Sequence, residues 1–216
     1  MDLSVILLKL LEGLLVSFQI FALTLTFSLP LGLLVALGRM SRNFFVRNII
    51  KIYISIMRGT PLMLQLMVVY FGPYYIFGWT LSRDYRFIAV IIGFVLNYAA
   101  YFAEIYRGGI ESMPVGQYEA AKVLGYSKTQ TFMRIILPQV IKRILPSVTN
   151  EIITLIKDTS LAFVISVSEM FTAAKAIASS QASVVPYLAA GLFYYIFNYI
   201  VAFAMEGVEK KFSYYR

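Results

Sequence analysis

The chain has 216 residues, of which 60% are hydrophobic and only 14% charged, with a formal net charge of +8. Soluble domains carry about 25% charged residues, so this composition excludes an ordinary soluble fold and points to an integral membrane protein. With no cysteine and no histidine, disulfides, thiolate chemistry, imidazole bases and nearly all zinc sites are excluded, and no metal site is expected.

A membrane-crossing helix needs about 20 mostly apolar residues. The first span is expected over residues 13–38, preceded by a short segment, residues 2–12, expected to lie in the outer interface. Asp2 is acidic, Lys9 interrupts the apolar run and no small-residue cleavage site follows, so no removable secretory signal is expected. A basic stretch with Arg39, Arg42, Arg47 and Lys51 leads to a second span, residues 52–77, which carries Arg58-Gly59-Thr60-Pro61 near its entrance. A polar loop, 79–86, precedes a third span over 87–106. After a long polar connection, 107–134, a fourth apolar region runs over 144–167, interrupted by Glu151 and by Lys157-Asp158. Residues 168–185, rich in Ala and Ser, read as an outer-side helix or a re-entrant piece. The fifth span covers 186–205 and is followed by Lys210, Lys211 and Arg216. The expected fold class is therefore all-α integral membrane, five transmembrane helices in one domain over residues 1–216.

Orientation follows from the Lys/Arg bias of the short loops. One side collects Arg39, Arg42, Arg47, Lys51, Arg107, Lys122, Lys128, Arg134, Lys142, Arg143, Lys210, Lys211 and Arg216, and the other only Lys9, Arg83, Arg86 and Lys175. The first side is expected to be cytoplasmic, with the N-terminus outside and the C-terminus inside. Because the basic residues are spread between apolar runs, topology explains the net charge better than nucleic-acid binding does, and no nucleic-acid partner is expected.

The long connection carries a spaced pattern: Glu119-Ala120-Ala121, three residues, Gly125, nine residues, Ile135, then Leu137-Pro138. A short helix near 117–130 is expected. Ala120, Ala121 and Gly125 leave it a slim face, Gly125 can end it in a left-handed turn, and Pro138 restricts the chain where the next membrane helix begins.

Polar groups inside the membrane are costly, about 2.5–3.5 kcal/mol for a charge at the centre, so they face cavities or partners and are candidate site residues. Glu151 and Asp158 stand seven residues apart, which on an α-helix leaves both carboxylates on one face, suited to a cationic solute. Internal pairing is the alternative, Asp158 with Lys157 of a neighbouring subunit or Glu151 with Arg58. Lys157-Asp158-Thr159-Ser160 is expected to mark a local unwinding, its hydroxyls satisfying freed backbone groups or its freed amides holding a substrate carboxylate. Asn97, Tyr101 and Glu104 share a helix face, with Asn97 near mid-membrane as a cavity candidate and Glu104 placed to pair with Arg107. Gln65 and Asn198 also lie near mid-depth, as site candidates or as helix-to-helix hydrogen bonds.

The spaced pattern resembles the "EAA" loop of ABC import permeases, with no departure at Glu119, Ala120, Ala121, Gly125, Ile135, Leu137 or Pro138. Three further stretches look like the polar amino acid branch of that family, the one with histidine, glutamine and arginine uptake systems. They are Arg58-Gly59-Thr60-Pro61, the run from Ala99 to Ile110, and Lys157-Asp158-Thr159-Ser160-Leu161. The resemblance covers nearly the whole chain. It implies a type I ABC importer permease in a bacterial inner or plasma membrane and a permease dimer, expected to be a homodimer. It further implies two copies of an ABC ATPase and an extracytoplasmic amino-acid-binding protein that delivers substrate.

In such a system Glu119, Ala120, Ala121 and Gly125 would dock the coupling helix into the ATPase, and alternating access would follow ATP binding there. No Gly-x-x-x-x-Gly-Lys-Ser/Thr phosphate loop occurs in this chain. ATP and Mg are therefore expected on the partner ATPase, with no cofactor and no catalytic residue in this chain, which is not expected to be an enzyme alone. Glu151, Asp158, Lys157, Thr159, Ser160, Asn97 and Gln65 are the expected substrate-binding residues. The acidic pair favours arginine, lysine or histidine, with glutamine as the alternative. A passive channel or a non-transporting membrane scaffold would instead show no dependence on a partner ATPase or on the acidic pair.

Overall fold

The computed structural model describes residues 3–80, 82 and 84–212. Met1, Asp2 (the first residue of the expected interfacial segment), Arg83 and Arg216 lie outside them. The described residues form α1 (Leu3–Arg39), α2 (Phe44–Gly59), α3 (Leu62–Phe77), α4 (Tyr85–Glu111), α5 (Val115–Val123), α6 (Lys128–Thr131), α7 (Leu137–Asp158), α8 (Met170–Gln181) and α9 (Val185–Lys211). A π-helical segment, Phe132–Ile136, and a 3-10 segment, Thr159–Ile165, flank α7.

α1, α4 and α9 are each long and apolar enough to cross a membrane, and two bent helix pairs qualify jointly. The expected five spans are met when each bent pair is counted once.

The first correction concerns residues 3–12, the described part of the expected segment 2–12. They do not form a helix of their own: α1 runs unbroken for 37 residues from Leu3, about 55 Å at 1.5 Å per residue. That exceeds the roughly 30 Å hydrocarbon core, so α1 tilts or projects beyond it. Glu12 and Gly13 do not stop the helix, because the residues on both sides of them are strong helix formers. Its buried positions include the small residues Gly13, Ser17, Thr24, Ser28, Gly32 and Ala36, a strip that lets neighbouring backbones approach closely. Gly32 lies against Ala99 and Phe102 of α4, and Gly13 lies against the backbone of Met170 at the start of α8.

A Cβ at Gly13 would come within 2.7 Å of Met170 Cα and 3.0 Å of the Glu169 carbonyl carbon. These are backbone atoms with no rotamer to yield. We expect Gly13→Val to cost about 1–3 kcal/mol by overpacking and to lower the melting temperature of the purified complex by several degrees. Gly191→Val, with nothing within 4 Å of its added Cβ, should leave the melting temperature near that of the parent.

The second correction concerns residues 52–77. They are not one helix, because α2 and α3 meet at a bend of 111°. Gly59-Thr60-Pro61 supplies the reason. The residue before a proline is pushed to extended backbone, and Thr60 sits at φ −125°, ψ 148°, with Pro61 opening α3. The carbonyls freed at the break are taken up locally. Thr60 Oγ1 donates to Ile56 O at 2.8 Å, and Gln65 Nε2 donates to Met57 O at 2.9 Å and Thr60 O at 3.1 Å.

α4 is the central element. It packs along α1 and against α2, α3 and α7. Its Phe94, Tyr98 and Phe102 are wholly or almost wholly buried in the main apolar core with Ile20, Leu66, Leu155 and Ile156.

Past α4 the chain leaves the core as a hairpin, α5 and α6, and returns through the π segment into α7. Pro138 falls in the first turn of α7, where the next membrane helix was expected to begin, and the helical path runs into it from the π segment. A proline inside a helix lacks an N–H and crowds the carbonyl four residues earlier. The wider π turn directly before Pro138 absorbs that crowding, and Gln139 Nε2 donates to Ile135 O at 2.6 Å.

Candidate functional site

Three elements build one polar wall. From α7 come Glu151 and Asp158, the first past the middle of the helix and the second at its end, and both partly buried. Tyr98 of α4, itself 2% exposed, donates its hydroxyl to Asp158 Oδ2 at 2.7 Å. From α2, Arg58 lies over the Tyr101 ring at 5.2 Å and reaches Glu104 at 3.8 Å. Glu151 lies within the electrostatic reach of both Arg58 and Asp158. The wall thus carries a cation at one end and two carboxylates along its length, with aromatic faces between them.

The other expected residues fall around this wall. Glu104 is bound by Arg107, at 3.0 Å from Nε and 2.6 Å from Nη2; Arg107 also pairs with Glu111. Asn97 is buried, and its amide donates to Met57 O at 3.1 Å and Gln65 Oε1 at 2.9 Å. Asn97 and Gln65 therefore work together as a clamp on the α2–α3 break. Lys157 is exposed.

At Thr159 the helix tightens into 3-10 turns rather than opening. Thr159 Oγ1 donates to Ile156 O at 2.7 Å and Ser160 Oγ to Lys157 O at 2.8 Å, so both hydroxyl protons go to backbone carbonyls. The 3-10 segment ends at Ser166 in the left-handed region, φ 59°.

The hairpin between α4 and α7 has its own geometry. Gly125 sits at φ +80°, where a side chain is strained. Its N–H donates to Lys122 O at 3.0 Å, and the Tyr126 N–H donates to Ala121 O at 3.0 Å. These two bonds close α5 in a Schellman motif. Ser127 then caps α6, with Gln130 completing a capping box. Ala121 faces inward at 1% exposure, while Val123 at 88% and Leu124 at 73% stand out at the tip. Glu119, Ala120 and Gly125 are exposed beside them.

Comparison with known proteins decides the family. Residues 28–214 match the model of the binding-protein-dependent transport system inner membrane component. The chain belongs to that family. Among curated permeases, the octopine transport system permease OccM of Rhizobium radiobacter is 41% identical over 82% of this chain and 76% of its own length. The arginine transport system permease ArtQ of Bacillus subtilis is 37% identical over 93% and 91%. A putative glutamine transport system permease GlnP of Rickettsia bellii is 35% identical, again over 93% and 91%. Among solved structures, an amino acid ABC transporter crystallised with histidines matches at a TM-score of 0.85 and 30% identity, over 94% of both chains. The protein is an integral inner-membrane permease subunit of an amino acid ABC importer with the type I permease fold.

Two residues of the permease's polar interior were not legible beforehand. Tyr98 was hidden in an apolar run, and only its four-residue spacing before Phe102 and after Phe94 marked its face. Glu169 is completely buried. It caps α8 by accepting from the N–H groups of Phe171 at 2.6 Å and Thr172 at 2.7 Å, and it also accepts from the Tyr194 hydroxyl at 3.2 Å. Glutamate is not among the preferred N-cap residues, so neither this cap nor its burial was readable from the sequence.

Proposed function

We propose that this permease imports basic amino acids, arginine, lysine or histidine, by alternating access driven by a separate ATPase. The observation that carries the reading is the wall itself: Glu151 and Asp158 on one helix, with Arg58, which also pairs with Glu104, within electrostatic reach of Glu151. Such a wall suits a zwitterion with a cationic side chain, whose α-carboxylate meets Arg58 and whose cationic end meets the carboxylates. The wall is partly exposed in the single chain, and a second copy of the permease, as a homodimer, would close it into a cavity.

The hairpin fits the docking role. Its apolar tip, Val123 and Leu124, flanks the tight turn at Gly125 and would enter a cleft on each of two ATPase subunits, where ATP and Mg bind. Glu119, Ala120 and Ala121 shape that helix. The Lys/Arg bias puts the hairpin in the cytoplasm and the N-terminus outside, with an extracytoplasmic binding protein presenting substrate to the opposite face. Glutamine is the second reading, favoured by the relatives named as glutamine permeases; an amide tolerates acidic neighbours.

The test is accumulation of labelled arginine in proteoliposomes that hold the permease and its cognate ATPase. Uptake that needs both ATP on the ATPase side and binding protein on the other supports the reading. Equal flux without ATP would make the chain a passive channel.

A further inference from the structure

A cavity apart from the wall lies at the base of the hairpin. It measures about 640 Å³ and is lined by Met113, Pro114, Gln117, Arg134, Ile135, Pro138, Gln139, Lys142, Arg143 and Pro146. Three of these are cations and none is a carboxylate. Arg143 is held in place, donating to Ser112 O at 2.7 Å and Ser112 Oγ at 3.1 Å. Arg134 and Lys142, by contrast, form no hydrogen bond or ion pair among the described residues. The amides of Gln117 and Gln139 bond each other reciprocally at 2.8 Å and fix α5 against α7. Met113, Ile135 and the prolines supply an apolar floor. Glu206 and Glu209 of α9 line a second cavity that shares Lys142 and Pro146 with it.

We propose that this cavity binds the headgroup of an anionic phospholipid of the cytoplasmic leaflet. The inference rests on the orientation given under Proposed function. Two observations favour a lipid over the ATPase as occupant. First, the cavity lies at the base of the hairpin, one α5 length of nine residues, about 13 Å, from the Gly125 tip. Second, its level is that of the membrane end of α4: Arg143 grips Ser112, the residue that caps α4. A basic pocket between membrane helices on the cytoplasmic side, with an apolar floor, matches a phosphodiester carrying a glycerol backbone. A bound headgroup would brace α5 against α7, the two helices between which coupling movement passes.

The experiment uses the permease–ATPase complex in nanodiscs of phosphatidylcholine with phosphatidylglycerol, and reads retained phosphatidylglycerol by native mass spectrometry after exchange into detergent. The native complex should retain it in preference to phosphatidylcholine. Arg134→Gln with Lys142→Gln should weaken retention by about 30-fold, two surface-charge contributions taken together. Arg42→Gln with Arg47→Gln, basic residues on the same side but outside the cavity, should leave it unchanged.

Equal retention by the Arg134/Lys142 variant would overturn the proposal. So would displacement by an equal concentration of inorganic phosphate, which would make the occupant a free anion. A crosslink from position 134 to the ATPase in the lipid-retaining complex would overturn it in favour of a protein contact. Because the chain has no cysteine, labelling of Lys128→Cys by an impermeant thiol reagent separates failures. Labelling from outside would sink the orientation and the lipid site together, whereas labelling only from the cytoplasmic side leaves the orientation standing whatever the lipid result.

Discussion

Gly125→Val is expected to abolish most uptake while the permease still inserts, folds and assembles as a dimer. Gly125 holds φ +80° with open space around its Cα, so a side chain meets no clash within the chain. Its cost is backbone strain, about 1–2 kcal/mol for an L-residue in the left-handed region, or roughly a tenfold shift away from the competent turn. A β-branched side chain adds bulk at the tip that would enter the ATPase. Gly125→Asn separates the two contributions, because asparagine tolerates the left-handed region with little strain. We expect Asn to keep intermediate uptake and Val to lose nearly all of it, with membrane insertion equal in both. Uptake by the Val variant at the native rate would remove the docking role of the hairpin.

The second large effect is expected from Glu151→Gln together with Asp158→Asn. Both substitutions keep size and hydrogen-bonding ability, and the carboxamide introduced by Asp158→Asn would still accept from the Tyr98 hydroxyl, which reaches Asp158 at 2.7 Å. What changes is charge. A cation about 4 Å from a carboxylate gains at most about 4 kcal/mol at an effective dielectric of about 20. The half-open wall halves that, leaving a loss of about 30-fold for arginine or lysine. Glutamine uptake should fall far less. An equal loss for both substrates would make the two carboxylates structural, with Arg58 as the partner of Glu151.

Much of this architecture was legible because hydrophobic length and Lys/Arg bias are bulk properties of a span, insensitive to packing detail. The Gly125 turn was legible for a different reason: a glycine after a short helix has one common use, and Tyr126 and Ala121 supply the rest through backbone bonds. The bend after Gly59 was written in Thr60-Pro61 but was hidden by the apolar residues on both sides, which read as one continuous span. Pro138 was legible as the start of the next membrane helix, whereas the π turn before it was not, since that depends on hydrogen-bond register rather than residue type.

At the wall, Glu151 and Asp158 stood out because charge in an apolar run is rare, while Tyr98 did not, because a tyrosine there reads as core. Asn97 and Gln65 were expected among the substrate-binding residues because both fall near mid-membrane, but sequence could not say that their hydrogen bonds go to Met57 and to each other. That pairing depends on how α2, α3 and α4 meet.

The most direct test of the account is ATPase activity of the reconstituted complex with its binding protein, across arginine, lysine, histidine and glutamine. It should be measured for the native permease and for the Glu151→Gln, Asp158→Asn variant. The account predicts stimulation by the basic amino acids that is lost in the variant. Stimulation by glutamine alone, or a substrate profile unchanged in the variant, would contradict it and place selectivity in the binding protein.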